Sequence, residues 1–482
     1  MKILLLNIGT KEGEPVNRDV LYGAWCKGKR VGFIENPPLS LLSVNTFLNK
    51  SHFDTMFLDA QGLKLSHDEI IKKINWSDVD IVITQTATMT FKDDTSLLNR
   101  IKKQNPKIIT IVFGSHVTFM PEICLKNKAI DFIVRFEPEE TTLKLITNLS
   151  LSKPVTNVQN IGYRRKRKII ITPEAPSLDF DKLPIPNREP ILNISYYHPF
   201  AIRSPCTNVE TSRGCPMRCT FCTAHVFFRK SVKERNIDSV VEELRYLQNL
   251  GYKEIVFRDE IFTYDRERVI EICKRIIQED IDLKWICNGF VGLVDEELMK
   301  LMKKAGCHMI LFGIESGSQK ILANIKKGFA IGKALETFKI AKRVGIDTHA
   351  HFILGCPGET EETIKETIKL AKKLNPTTAA FNILTIYPGS ELHEKLRRRL
   401  PKNWDSTEAD IYKLHVKSFY SELITELKPD VLEKCLMQAY REFYFRPNYI
   451  VKRIFSVKSF VELLSLLKSG FGVMSMVLTK KN

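Results

Sequence analysis

Between residues 206 and 390 the sequence repeats one unit six times: a short β-branched or aromatic run, then a stretch with apolar residues at helical spacing. The strand-like runs are "NVETS", "KEIVFRDE", "LKWICNG", "HMILFGIE", "THAHFILG" and "AAFNILTIYPG". Between them lie "DSVVEELRYLQNLG", "DRERVIEICKRIIQ", "DEELMKLMKKAG", "IGKALETFKIAKRVG" and "TEETIKETIKLAKKL", several of which end in glycine as helix C-termini do. Near-continuous apolar strands joined by amphipathic helices fold as a parallel sheet covered by helices. Six such units predict a partial (β/α)6 barrel, with its chemistry on the loops that follow the strand C-termini.

The same alternation fills residues 1–150, where "KILLLN", "TMFLDA", "DIVITQT", "IITIVFG" and "DFIVRF" are separated by helix-compatible segments. In one of these, "SHDEIIKKIN", Ser66 is placed as N-cap with Glu69 three residues on. This predicts a doubly wound, Rossmann-like α/β domain that binds ligands at the carboxyl ends of its strands. Residues 151–205 are rich in Pro and Asn, and "PEAPSLDFDKLPIPNREP" predicts a linker without regular elements. Within it, the basic "YRRKRK" followed by "IIIT" has the pattern of an exposed hairpin arm. Residues 391–482 turn helical and basic.

Bulk properties narrow the class. With 44% hydrophobic and 27% charged residues in 482, the chain has the composition of an ordinary globular protein. No apolar run reaches the roughly 18–20 residues that span a bilayer. The opening "MKILLLNIGT" has too short an apolar core for a signal peptide and reads as a first buried strand, so a cytoplasmic location is expected. A net charge of +17 raises the question of nucleic acid, but Lys and Arg are spread along the chain and no RNA-binding module accompanies them, so no nucleic-acid partner is expected.

Eleven cysteines do not make a disulfide framework in a chain this long. Three of them, Cys215, Cys219 and Cys222 in "ETSRGCPMRCTFCTAHV", are clustered at C-x3-C-x2-C spacing just after the first barrel strand. Thiolates suit zinc or an iron–sulfur cluster. A structural zinc site wants four ligands, and Cys206 or His225 would have to complete it. A four-iron cube held by three thiolates instead leaves one iron open for a substrate. Gly214 and Pro216 suit a tight loop around such a core.

This motif, with Phe221 before its last cysteine, resembles the radical S-adenosylmethionine (SAM) enzymes. "LMKKAGC", "GIESGSQKIL" and "FILGCPGETEET" are similar to segments that follow in the same order in that family. In residues 1–150, "NPPLSLLSVNTFL", "FLDAQGL", "TQTATMTF" and "HVTFMPE" resemble the cobalamin-binding domain of one subgroup, that of the anaerobic Mg-protoporphyrin ester cyclase, the hopanoid-modifying enzymes and the class B methyltransferases. The resemblance implies a [4Fe-4S] cluster on Cys215, Cys219 and Cys222, whose open iron chelates SAM. It implies reductive cleavage of SAM to a 5′-deoxyadenosyl radical that attacks an unactivated C–H of a small molecule, such as a lipid or tetrapyrrole, and ends in methylation, cyclisation or rearrangement. Asp259 and Glu260 would face the methionine amine, the stretch from Gly313 through Ser316 to Gly317 would let the protein backbone approach SAM closely with Glu315 near its ribose, and Pro357 and Gly358 would lie near the adenine. Cobalamin would lie near His116 and Thr118, with no protein histidine on cobalt. An electron donor such as ferredoxin or flavodoxin is implied as partner.

The chain departs from the subgroup at Phe136 and Pro138, which stand where glycines are typical and would crowd a corrin ring, and at Phe290, where relatives often carry arginine. The remaining cysteines, Cys26, Cys124, Cys273, Cys287, Cys307, Cys356 and Cys435, read as small buried hydrophobes. The last 35 or so residues are expected as a helical cap over the barrel mouth, as a helix docked against the N-terminal domain, or as a basic amphipathic contact to a membrane surface. A tRNA-modifying methylthiotransferase and a non-catalytic cofactor-binding sensor are the alternatives weighed against this reading.

Overall fold

The computed structural model describes residues 1–13, 16–18, 34–400 and 421–478; Cys26 lies outside them. The apolar runs of the first 150 residues form β1 (Ile3–Asn7), β2 (Thr55–Asp59), β3 (Ile81–Gln85), β4 (Ile109–Phe113) and β5 (Phe132–Val134). They pair in parallel in the order β2-β1-β3-β4-β5, the doubly wound arrangement whose strand order reverses between β1 and β3. Ser66 caps its helix through a reciprocal bond set with Glu69, as the spacing predicts.

The sheet does not stop at residue 150. An antiparallel hairpin, β6 (Ile161–Arg165) and β7 (Lys168–Ile171), adds two strands beside β5, inside the span expected to be linker. Ile169 and Ile171 on one side and Ile170 on the other each find an apolar cluster to pack against, which is why this basic hairpin joins the sheet rather than standing free. The Pro-rich segment after it is fastened down. Arg188, fully buried, donates to the Pro186 and Asn208 carbonyls and to Glu243 at 2.9 Å.

The second sheet is built from β8 (Cys206–Val209), β11 (Glu254–Phe257), β12 (Lys284–Gly289), β13 (Cys307–Glu315), β14 (Asp347–Leu354) and β15 (Thr378–Ile383), all parallel and adjacent in that order. A small antiparallel ribbon, β9 (Ser212–Arg213) with β10 (Lys233–Glu234), sits at its mouth. Trp285, Phe257, Phe312, Phe352 and Phe381 are fully buried where the strands meet their covering helices. The intervening helix Ile331–Val344 ends on Gly345 at φ 80°, the left-handed C-terminal residue its sequence predicts.

Six strands leave the barrel open, so β15 has a bare edge that must be covered. The helix Pro429–Tyr444 covers it with tyrosines. The Tyr440 hydroxyl accepts from Phe381 N at 3.2 Å and donates to Phe381 O at 3.0 Å; Tyr444 does the same for Ala379 at 3.0 and 2.6 Å. Two further helices, Pro447–Phe455 and Phe460–Leu478, follow. The inner side of the last one holds Glu462 against Arg453 at 2.8 Å and Ser465 against Pro199 O at 2.6 Å, laying it across the end of the barrel where the strands begin, opposite the cysteine loop. No helix among the described residues is long and apolar enough to cross a membrane.

Candidate active site

The cysteine loop leaves the β9–β10 ribbon through Gly214, at φ 107°. A Cβ there would lie 1.9 Å from the Ser231 carbonyl oxygen, so only glycine permits the turn. The loop is pinned further on, where Thr220 N donates to Ile325 O at 3.1 Å and Thr220 O accepts from Leu392 N at 2.8 Å. Cys215, Cys219 and Cys222 thereby open onto one cavity of about 340 Å³ inside the barrel. Burial pushes the Cys215 thiol up to about 12 and raises Cys219 and Cys222 as well, so thiolates in this wall require metal charge beside them.

No three Cys, His, Asp or Glu side chains among the described residues gather as closely as a single metal ion needs. Cys206 packs among Val256, Ile286 and Met309, apart from the loop, and does not complete a zinc set. Three thiols opening onto a shared cavity suit a cube of four irons, which would be held by three thiolates with one iron left for another ligand.

The carboxylates at the end of β11 divide. Asp259 is buried and fully engaged, taking Thr211 N at 2.8 Å, Thr211 Oγ1 at 2.5 Å and Ser212 Oγ at 2.7 Å. It braces the turn before the cysteine loop and does not line the cavity, contrary to the role the resemblance implied; two hydroxyls and an amide at its tip outcompete any distant ligand. Glu260 lines the cavity and accepts from Gly214 N at 2.9 Å. Burial, reinforced by the neighbouring Glu210 and partly offset by that amide, pushes its carboxyl up to about 8.

At the end of β13 the chain takes φ 65° at Glu315, a left-handed turn that brings its carboxylate back over Gly313. A Cβ on Gly313 would meet Glu315 Oε1 at 2.3 Å and Lys327 Nζ at 2.7 Å, so the glycine makes room for that ion pair, closed at 2.8 Å. Burial disfavours the Lys327 charge, but Glu315 and the nearby cysteine sulfurs outweigh it and hold the ammonium above the ordinary lysine value. Ser316 is buried against Thr367 at 3.2 Å, and Pro357 O accepts from Asn324 at 2.8 Å; these two and Gly358 shape loops without lining the cavity.

In the first domain, the loops after β4 and β5 face the barrel across a pocket lined by Gly114, Ser115, Phe136, Arg213 and Glu260. Phe136 takes φ 61°, the backbone conformation a glycine there would take, and its ring lies beneath the Arg229 guanidinium at 4.3 Å. The loop path is therefore kept while the side chain turns onto its neighbours, and the backbone cradle fits a corrin edge. His116 points away, with Nδ1 3.2 Å from Thr88 Oγ1 and its ring on Phe91. Thr118 ties the two loops together, donating to Gly114 O at 2.8 Å and accepting from Phe136 N at 2.9 Å. Across this boundary Arg213 binds Glu139 at 2.8 Å and Glu210 at 2.8 Å, with Glu137 at 3.6 Å.

Two cavity features escape a reading of motifs. Lys327, in "NIKKG", has the pattern of a solvated charge. His349 and His351 alternate along β14 and so project into the barrel together, their rings 4.4 Å apart, with the Phe200 ring tilted against His349 at 4.6 Å. Burial drives His351 down to about 4, His198 to about 3, and His349 well below the ordinary histidine value, keeping all three neutral. The period-two placement of the pair was the available signal.

Comparison with known proteins bears on the same regions. Residues 209–371 match the radical SAM superfamily and residues 33–146 the B12 binding domain. An uncharacterized methyltransferase of Pyrococcus horikoshii is 34% identical over 90% of this chain and 93% of its own length. The anaerobic magnesium-protoporphyrin IX monomethyl ester cyclase of Rubrivivax gelatinosus is 29% identical over 82% of this chain and 71% of its own. The fold matches the cobalamin-dependent S-adenosylmethionine radical enzyme OxsB with a TM-score of 0.73 at 17% identity, covering 98% of this chain and 72% of that one.

Proposed function

The chain belongs to the radical SAM enzymes that carry a B12-binding domain, a family whose members methylate or cyclise carbon substrates, and from that membership we propose how its own residues divide the work. The observation that carries the reading is the opening of three cysteines, Glu260, the Glu315–Lys327 pair and two neutral histidines onto one cavity whose wall is apolar over most of its area. Cys215, Cys219 and Cys222 hold the [4Fe-4S] cluster, and Gly114 with the 136–138 loop receives cobalamin. The chemistry supplied when these cofactors and SAM are bound is one-electron cleavage of SAM and a cobalt centre able to carry a methyl group.

The remaining roles belong to side chains. Lys327 would face the SAM carboxylate and Glu260 the amine, whose positive charge would favour the ionised form of a carboxyl that burial otherwise pushes up to about 8. Phe290 and the aromatic wall exclude water and easily abstracted hydrogens from a reactive radical. His349 and His351, neutral throughout the physiological range, offer hydrogen bonds to a polar group on a mainly apolar substrate.

The working divisions are the cofactor domain up to the β6–β7 hairpin, a fastened Pro-rich connector, the barrel from residue 206 to about 390, and the helical C-terminal region. The partners in this reading are a small-molecule substrate of lipid or similar apolar character, a low-potential electron carrier such as ferredoxin or flavodoxin, and a membrane surface met through the last helices, with the enzyme in the cytoplasm. Anaerobic reconstitution with a chemical reductant should yield 5′-deoxyadenosine, and Cys219→Ala should abolish it; retained cleavage in that variant would end the cluster assignment. SAM labelled in its methyl group distinguishes transfer from cyclisation, and chromatography of bound corrinoid tests the first domain.

A further inference from the structure

The two C-terminal helices are amphipathic in an unusual sense. Their polar residues face the protein and their large apolar residues face solvent. On the last helix, Glu462 and Ser465 are buried while Phe460, Leu464, Leu467 and Phe471 are 72, 45, 62 and 71% exposed. Their spacing of four, three and four residues makes one continuous stripe. Phe455, at the end of the preceding helix, is 86% exposed and extends the patch. Apolar surface on this scale marks a partner.

Charge identifies the partner. Between residues 447 and 478 the only acidic residue is Glu462, which is buried against Arg453. Lys452, Lys458 and Lys468 are exposed beside the stripe and keep its rim positive, although Lys458 also pairs with Asp347 and Lys468 lies over the Tyr197 ring at 5.0 Å. A second copy of the chain seated here would set these lysines against their like. An anionic lipid surface presents the complementary pair, phosphate at the rim and hydrocarbon beneath. The same helix contributes Leu466 to the wall of the barrel cavity, so one element faces both the substrate space and the outside.

We propose that the helices Pro447–Phe455 and Phe460–Leu478 seat the enzyme on the surface of an anionic phospholipid bilayer, which places the end of the barrel where the strands begin, and the cavity that reaches it, at the lipid boundary. The proposal rests on the apolar-substrate reading above and deepens it: the substrate reaches the cavity from the lipid layer. The test uses the full-length reconstituted protein with vesicles of phosphatidylcholine, with and without phosphatidylglycerol. The wild type should sediment with the vesicles containing phosphatidylglycerol and less with the others. A variant carrying Phe455→Ser, Phe460→Ser, Leu467→Ser and Phe471→Ser should partition at least about tenfold more weakly, since each large apolar side chain withdrawn from lipid weakens insertion. Release of 5′-deoxyadenosine without vesicles should be unchanged in the variant, which reports its fold. Equal partition of variant and wild type, no binding to either vesicle, or a dimer abolished by the same substitutions would each overturn the proposal. Absence of 5′-deoxyadenosine from both proteins would instead sink the radical reading while leaving the vesicle result standing.

Discussion

Replacing Arg213 with methionine tests whether the two domains are held in register by a buried ionic knot. The guanidinium is 7% exposed and Glu139, its main partner, is wholly buried. Without the arginine, Glu139 keeps the Ser43 hydroxyl at 2.9 Å and Glu137 keeps Lys233, while Glu210 loses its side-chain partner but is 22% exposed to water. Removing one member of a buried pair typically costs about 3–5 kcal/mol, and these surviving partners place the expected loss near the lower end, about 3 kcal/mol. The pH dependence follows from the sign of the shifts. Burial pushes the Glu139 carboxyl up, but Arg213 pulls it below the usual value, so in the wild type its contribution is present above the unfolded value near 4.5 and fades as pH falls through the folded one. In the variant burial is opposed only by a backbone amide and the Ser43 hydroxyl, the folded value rises, and acid relieves the strain by protonating the carboxyl. The gap between the two proteins should therefore narrow from pH 7 to pH 5. Urea titrations followed by circular dichroism measure it, and adding Glu139→Gln to the variant should recover more than half of the loss. A gap under about 1 kcal/mol, a gap that widens in acid, or no recovery in the double variant would refute the argument.

Lys327→Met should weaken SAM binding about ten- to a hundredfold, the range of a charged hydrogen bond, measured by equilibrium binding under anaerobic conditions. Gly317→Ala should destabilise the barrel by about 1–3 kcal/mol through overpacking, because its Cβ would lie 2.4 Å from Glu366 O and 2.6 Å from Thr367 Cα; thermal unfolding reads this. The folded values of His198 and His351, about 3 and 4, lie below the 6.5 of an unfolded histidine, so the unfolded chain takes up protons first. Stability should fall as pH drops below about 6.5, by about 2 kcal/mol at pH 5 for each such imidazole, and His351→Asn should flatten the profile.

What the sequence revealed and what it hid have physical reasons. Strand runs of β-branched residues and glycine-stopped helices depend on local periodicity; β11 and β12 fall within the runs that predicted them, and β13, β14 and β15 begin one residue earlier than theirs. The cysteine spacing is likewise local. Asp259 was misread because its fate depends on Thr211 and Ser212, which are 48 and 47 positions away. Lys327 was hidden because a lysine beside another lysine looks solvated until its fold supplies Glu315. The β6–β7 hairpin was seen as a hairpin but not as part of the sheet, since docking on Ile133 and its neighbours is a tertiary matter. The polarity of the last helix, turned inside out, shows only once its buried side is known.

The tyrosine hydroxyls along β15 have a consequence beyond covering an edge. Each stands in for both halves of a missing neighbour, giving a proton to the carbonyl and receiving one from the amide of the same residue. A visiting peptide that tried to add itself as a seventh strand would find those positions already taken. Phenylalanine at 440 and 444 would preserve the aromatic packing yet vacate them, turning a closed seam into a template for end-to-end growth.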